Sequence, residues 1–462
     1  MYRHILTGFL LFLTASAYAQ DDRTDRERQL VDLYRDVIAY RSARGHDQVR
    51  PLAKYLEARF LSGGFGEQDV RYLQMGDENA ALVVRYRGRK SSVVKPVLFM
   101  AHMDIVDALP ADWQRDPYAL IEEDGYFYGR GTGDNKAGVV LLTSTFIRLR
   151  EEGFVPNRDM IIALTGDEET DAEAISSLVT EHRHLVDAEF ALNSDAGHGG
   201  MDADGNPLGM QMQMAEKNYM TFDLTVKNRG GHSSAPRADN AIYELAAALK
   251  NLEAFHWPVK LNDITKLQFE LQSKMAAPGD KIATAMGRFA ANPHDAEAAE
   301  ILRNSGAMGQ TRTTCVATML TAGHAENALP QTANATVNCR VFPGESVAET
   351  TAMLDQAVAD ETVAVVVRGN PTAGPASPVR DDVMDLVREA IDSQYPGLPV
   401  MPMMAAYATD GKFTRAAGIP TYGVGALLYG PDDFRAHGLN ERVYSRSFFK
   451  ASGYWYYLMT KL

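Results

Sequence analysis

Several strand-length apolar runs in this chain stop at a histidine or a carboxylate, and that pattern constrains the fold more than any other feature. The runs ALVVRYRG, PVLFMAHMDIV and DMIIALTGDEE are short and rich in Val, Ile and Leu, as strands are. Between the last two, AGVVLLTSTFIRLREEG follows a glycine-rich turn and reads as a helix. In DRERQLVDLYRDVIAYRSARG and LAKYLEARFLSGGF the apolar residues recur at three and four, which predicts amphipathic helices. Strands alternating with helices specify an α/β layer around a largely buried sheet. Residues 20–212 form the first part of that domain.

From about Lys217 the pattern changes. KNYMTFDLTVKN reads as a strand, and DNAIYELAAALKNLEAF as a long helix with Asp239 and Asn240 available as caps. The strand-like runs TTCVATML and ATVNCRVF, a helix in SVAETTAMLDQAVAD and the strand ETVAVVVRG complete a βαββαβ order, that of a small α+β domain, over residues 213–372. The segment 260–312 within it is polar, Met-rich and helical in pattern. The chain then returns to the first domain over residues 373–462, with VRDDVMDLVREAIDSQY as helix and IPTYGVGAL as strand.

Composition removes whole classes of function. With 46 Lys+Arg against 60 Asp+Glu the net charge is −14, which argues against nucleic acid as a partner. Arg3 and His4 precede ILTGFLLFLTASA and then AYAQ, the pattern of a secretory signal at residues 1–19 cleaved after Ala19. The apolar run is shorter than the ~20 residues of a membrane span. The expectation is an exported protein, periplasmic or secreted, with no membrane association after cleavage. Cys315 and Cys339 fall about opposite each other in an antiparallel pair, and either a disulfide or two buried thiols fits the sequence.

The chemistry lies where the strands end. His102 and Asp104 alternate in AHMDIVDA, so both side chains point the same way. Asp134 sits in the turn GRGTGDNKAG, Asp167, Glu168 and Glu169 follow a strand in LTGDEETD, Asp195 does so in ALNSDAGHGG, and His437 lies in RAHGLNER. Nitrogen and carboxylate oxygen donors gathered at the carboxyl ends of strands suit Zn²⁺ or a similar divalent ion. A two-metal centre needs a bridging carboxylate, for which Asp134 is best placed, leaving one histidine for each metal. If one of Glu168 and Glu169 binds metal, its neighbour can take a proton from the attacking water. Any one motif alone is equally a solvated acidic turn; five together at strand ends are not. No G-x-S-x-G pattern is present, and both cysteines lie outside these motifs, which disfavours a serine or cysteine nucleophile.

AHMDIVDA, GRGTGDNKAG, GDEETD, NSDAG and AHGLNE, in this order and spacing, resemble the M20 family of dinuclear zinc peptidases and amidohydrolases, over nearly the whole mature chain. The resemblance implies an α/β catalytic domain with a central, mostly parallel sheet and an inserted α+β lid or dimerisation domain. It implies two zinc ions per subunit, with Co²⁺ or Mn²⁺ as alternatives, held by His102, Asp134, Glu169, Asp195 and His437 with Asp134 bridging. Glu168 matches the general base and Asp104 the carboxylate that orients His102. His232, in GGHSSAP, matches a histidine that often reaches from a partner subunit to the substrate carbonyl; some relatives complete the site within one chain. Asn327 in ENALP and Arg340 in NCRVFP resemble substrate-binding residues, the arginine fork being suited to a carboxylate. In TDGKFTRAAGIP, Thr409, Asp410 and Gly411 keep the end of a family loop near the substrate carboxylate, whereas Ala406, Tyr407 and Ala408 replace its start. Asp195, where other members carry Glu, leans towards peptide substrates. The implied activity is an exported zinc exopeptidase acting on dipeptides or short peptides, with a homodimer through the inserted domain. The alternatives are an N-acyl amino acid amidohydrolase and a catalytically idle metal-dependent binding protein.

Overall fold

The computed structural model describes residues 23–89 and 93–462. The signal-like segment 1–19 lies outside them. Among the described residues no helix is long and apolar enough to cross a membrane.

The centre of the molecule is a ten-stranded mixed sheet with a parallel core. Val97–His102 pairs in parallel with Met160–Thr165 on one side and Phe190–Asn193 on the other, and Thr421–Gly423 continues the parallel run beside Phe190–Asn193. Every residue of the first two strands is buried, because helices cover both faces; that is why these runs are continuously apolar rather than alternating. Antiparallel strands Asn79–Tyr86 and Val70–Met75 extend one edge. At the other end Pro207–Glu216 pairs with Gly199–Met201 and, in parallel, with Val400–Ala405.

On one face pack the helices Asp25–Ile38, Lys136–Glu151, Asp381–Asp392 and Ser445–Thr460, around Phe99, Phe146, Phe448 and Trp455. Asp25–Ile38 is fixed at its start by a capping box, the Glu27 amide donating to Thr24 Oγ1 (3.2 Å) while the Thr24 amide donates to Glu27 Oε2 (2.8 Å). The opposite face is covered by Glu173–Val179 and its neighbours, packed on Leu98, Ile161 and Ala191.

The chain crosses at Lys217 from the large sheet to a four-stranded antiparallel sheet, whose strands run in the order Thr314–Ala322, Thr332–Val341, Asn218–Lys227, Val363–Val367. Helices Ala241–Ala254 and Val347–Val358 lie on it, which gives the βαββαβ order expected from the sequence. Of the two expected caps, Asn240 accepts from the Ile242 amide (3.0 Å), whereas Asp239 turns away to pair with Arg237. Cys315 faces Cys339 directly in register, and the two form a disulfide. Segment 260–312 folds as three helices, Asp263–Met275, Lys281–Ala291 and Ala296–Arg303, around Phe269, Phe289 and Leu302. The first docks on the edge strand Val400–Ala405, where Gln268 Oε1 accepts from the Met404 amide (3.3 Å). Pro402 lies in that strand, as an edge tolerates.

Candidate active site

Parallel register brings the functional residues together. His102 pairs with Thr165, and Met100 with Asn193, so His102, the turn Gly166–Glu169 and Asp195 all leave the sheet at one edge. Asp134 reaches the same edge from the turn before helix Lys136–Glu151. That helix approaches so closely that a Cβ on Gly138 would sit 2.1 Å from Ser194 Oγ. Gly131, at φ +84°, supplies a left-handed position in the turn.

The two oxygens of Asp134 face opposite ways. Oδ1 lies 3.0 Å from His102 Nε2, which is also 3.3 Å from Asp195 Oδ1. Oδ2 lies 3.2 Å from His437 Nε2, which is 2.9 Å from Glu169 Oε1. Each side is thus a histidine and a carboxylate sharing Asp134, with ligand atoms in each group within 4.8 Å of one another. Asp104 stands behind: Oδ1 accepts from the Glu168 amide (3.2 Å) and lies 3.4 Å from His102 Nδ1, and Oδ2 accepts from the Glu169 amide (3.0 Å). His102 Nδ1 also meets the Asp104 carbonyl at 3.1 Å, so Nε2 is the nitrogen left for a ligand.

Electrostatics match this donor set to cations. Burial, then the charge of Asp195, drives Glu168 well above the usual carboxylate range, and burial pushes Asp195 up to about 7. Burial works against ionisation of Asp134 too, but hydrogen bonds from His102 and His437 hold it below its ordinary value. Hydrogen bonds to Asp134 and Glu169 raise His437 to about 10. Carboxylates this crowded keep their charge only beside positive charge. The geometry of two His–carboxylate pairs around a shared Asp134 fits two divalent ions.

A cavity of about 270 Å³ opens on the cluster, lined by Asp134, Glu168, Glu169, Asp195 and His437. Its wall adds His198, Tyr407 and Phe434, none of which the sequence marks as a site residue. Burial lowers His198 to about 4, and among the described residues its Nδ1 has no partner. Phe434 and Tyr407 stay 63% and 43% exposed at the mouth, an apolar rim. Glu441 is the other residue not singled out beforehand, although it ends the AHGLNE motif. Its Oε2 pairs with buried Arg130 (2.7 Å) and accepts from the Gly131 amide (3.0 Å), while Oε1 accepts from the amides of Gly133 (2.8 Å) and Asp134 (3.1 Å). Asp167 is structural, its carboxylate accepting from the Glu173 (2.7 Å) and Ala174 (3.1 Å) amides at the start of the next helix.

The remaining expected site residues lie apart from this cavity. His232 is exposed on a two-residue strand paired with Ala328, its Nδ1 2.8 Å from Ser234 Oγ. Asn327 accepts through its carbonyl from the Ser233 amide (3.0 Å). Arg340 lies over the Tyr219 ring, 4.8 Å from its centroid. Gly411 is buried at the start of helix Gly411–Ala416, its amide donating to Thr409 Oγ1 (3.0 Å).

Residues 98–461 match the model of peptidase family M20/M25/M40, and the chain belongs to that family of metal-dependent hydrolases. It is 31% identical to the human N-fatty-acyl-amino acid synthase/hydrolase PM20D1 over 366 residues, covering 76% of this chain and 70% of that protein. It is 27% identical to carboxypeptidase S of Saccharomyces cerevisiae over 270 residues, 55% of this chain and 46% of that one. Among solved structures, it resembles the M20 metallo-carboxypeptidase Sso-CP2 of Sulfolobus solfataricus with a TM-score of 0.68 at 18% identity, covering 95% and 99% of the two chains. Human carnosine dipeptidase 1 superposes with a TM-score of 0.61 at 16% identity, covering 95% and 98%.

Proposed function

We propose that this chain is an exported dinuclear zinc hydrolase that cleaves the amide bond between an apolar acyl group and an amino acid. The observation that carries the chemistry is Asp134, with one oxygen towards His102 and Asp195 and the other towards His437 and Glu169, while Glu168 opens on the same cavity. His102, Asp134 and Asp195 would hold one ion, and His437, Asp134 and Glu169 the other. Bound there, the pair would acidify water and polarise the amide carbonyl. Glu168 takes the proton from the attacking water and returns it to the departing amine. Asp104 fixes Glu168 and Glu169 through their amides and keeps His102 in one orientation. His232, exposed on the inserted domain, stabilises the oxyanion from a partner subunit in a homodimer, with Asn327 and Arg340 on the substrate.

The apolar mouth at Phe434 and Tyr407 and the likeness to the N-fatty-acyl-amino acid hydrolase favour an acyl chain over the dipeptide that the sequence motifs placed first. Exopeptidase action on short peptides is the second reading, favoured by Asp195 and by the likeness to carboxypeptidase S. Export is supported by the signal pattern at residues 1–19 and by the Cys315–Cys339 disulfide.

The test is mass-spectrometric product analysis of zinc-loaded protein against N-acyl amino acids of graded chain length, dipeptides and short peptides, with a chelated control. Chelator-sensitive release of amino acid that rises with acyl length is the expected result. Cleavage confined to peptides would move the assignment to the exopeptidase, and two bound metals with no cleavage would make the chain a binding protein.

A further inference from the structure

A second cavity, of about 510 Å³, lies on the inserted domain, bounded by the end of helix Ala241–Ala254, the end of the 260–312 segment and the edge strand Thr314–Ala322. None of its lining residues touches the metal-site cavity. Its volume is that of a small-molecule site. Leu252, Phe255, Trp257 and Val316 make an apolar wall, in which the Phe255 and Trp257 rings meet edge to face at 5.1 Å.

Arg303 and Arg312 line the same cavity. Arg312 is only 5% exposed, yet among the described residues its guanidinium forms no ion pair and one hydrogen bond, from Nε to Thr311 Oγ1 at 3.3 Å. Arg303 binds Glu300 and meets His256 Nδ1 at 2.9 Å, while its own Nε is buried without an acceptor among the described residues. Close by, buried Lys217 donates to the carbonyls of Gly309 (3.0 Å) and Arg312, and Glu345 is engaged by Lys260 and Thr313. The Arg312 Nη groups, without a hydrogen bond among the described residues, are left for an acceptor that enters the cavity. Glu253 also lines the cavity but is exposed and paired with Lys250, so in a chain of net charge −14 Arg303 and Arg312 leave a local excess of positive charge there.

We infer that this cavity binds an amphipathic monocarboxylate, its head on Arg312 and Arg303 and its unbranched tail along Leu252, Phe255, Trp257 and Val316. The guanidinium fork matches both carboxylate oxygens, and the apolar side chains of the same cavity match an alkyl tail in polarity. The inference stands on these residues alone and holds whichever amide the metal site cleaves.

Trp257 is one of three tryptophans in the chain and reports directly on this wall. Titration of the full chain with 12-bromododecanoate below its micellar range is expected to quench Trp257 fluorescence saturably. The quenching should vanish in Trp257→Phe, weaken about tenfold or more in Arg312→Gln, and be as weak with 12-bromododecanol. Val316→Glu, which places an anion at the exposed mouth, should weaken binding to a similar degree and serves where Arg312→Gln fails to fold. Quenching that survives in Trp257→Phe, acid and alcohol binding alike, or no quenching at all would overturn the inference. So would a chain that ignores the acid but drops from dimer to monomer with Val316→Glu, because the cavity would then belong to a second copy.

Discussion

Asp104 illustrates how much a single carboxylate can organise: it accepts from the successive amides of Glu168 and Glu169 and lies beside His102, so the three are held together as one unit. Glu168→Gln keeps that backbone and removes only the proton acceptor. Its kcat should fall by about 10²–10⁴ with metal content unchanged by atomic absorption, and a variant with wild-type turnover would remove Glu168 from its role. Protonation of the metal-free site predicts an inverted pH response. Asp195 sits at about 7 and Asp410 at about 8, both raised by burial from 3.8, and His437 at about 10 instead of 6.5. Each binds its proton more tightly folded than unfolded. The stability they contribute is therefore complete below the unfolded pKa and is lost as pH rises, from about 4 to 8 for the carboxylates and from about 6.5 to 10 for His437. Asp134, lowered, acts in the opposite sense only at acid pH. By calorimetry the chelated protein should melt lower near pH 8 than near pH 5.5, and zinc should raise the melting temperature more at the higher pH, where the ligands give up protons readily.

At the scale of elements, the strands that end at His102, Thr165 and Asn193 were legible because burial on both faces makes them continuously apolar. The strands Pro207–Glu216 and Val400–Ala405 were not, since Gln and Pro interrupt them and Met favours neither period. Their importance comes from contacts distant in sequence. Glu216, at the end of one, accepts from Thr409 Oγ1 (2.9 Å) and lies 3.4 Å from buried Arg415, which anchors the loop carrying Tyr407 beside the cavity at Asp134. The cysteine strands were placed opposite each other from the turn between them, and the register joins the two sulfurs. Closing a loop with a sequence separation of 24 removes entropy from the unfolded chain. Cys315→Ala with Cys339→Ala should therefore cost about 3 kcal/mol in urea denaturation, with a cost near zero meaning that the crosslink constrains little.

Over the whole molecule, the inserted domain holds His232, Asn327 and Arg340 apart from the cavity lined by Asp134, Glu168, Glu169, Asp195 and His437. If a partner subunit completes the site, two inactive chains should rescue each other. Equal mixing of Glu168→Gln and His232→Ala subunits, after dissociation and reassociation, should restore about a quarter of wild-type activity, because half the dimers then carry one intact site. Absence of rescue between two folded, dimeric variants would place the whole site within one chain.

The sequence by itself determined the α/β class, the βαββαβ insertion and the seven residues clustered at the sheet edge, because hydrophobic period and strand-end chemistry are local properties. Tertiary structure decided what no local pattern encodes. It decided which oxygen of Asp134 faces which histidine, that Glu441 holds the Asp134 turn through its amides, that Phe434 and Tyr407 rim the cavity, and that Arg312 is buried with no ion pair among the described residues. These are relations between residues far apart along the chain, and they exist only once packing has fixed the distances between them.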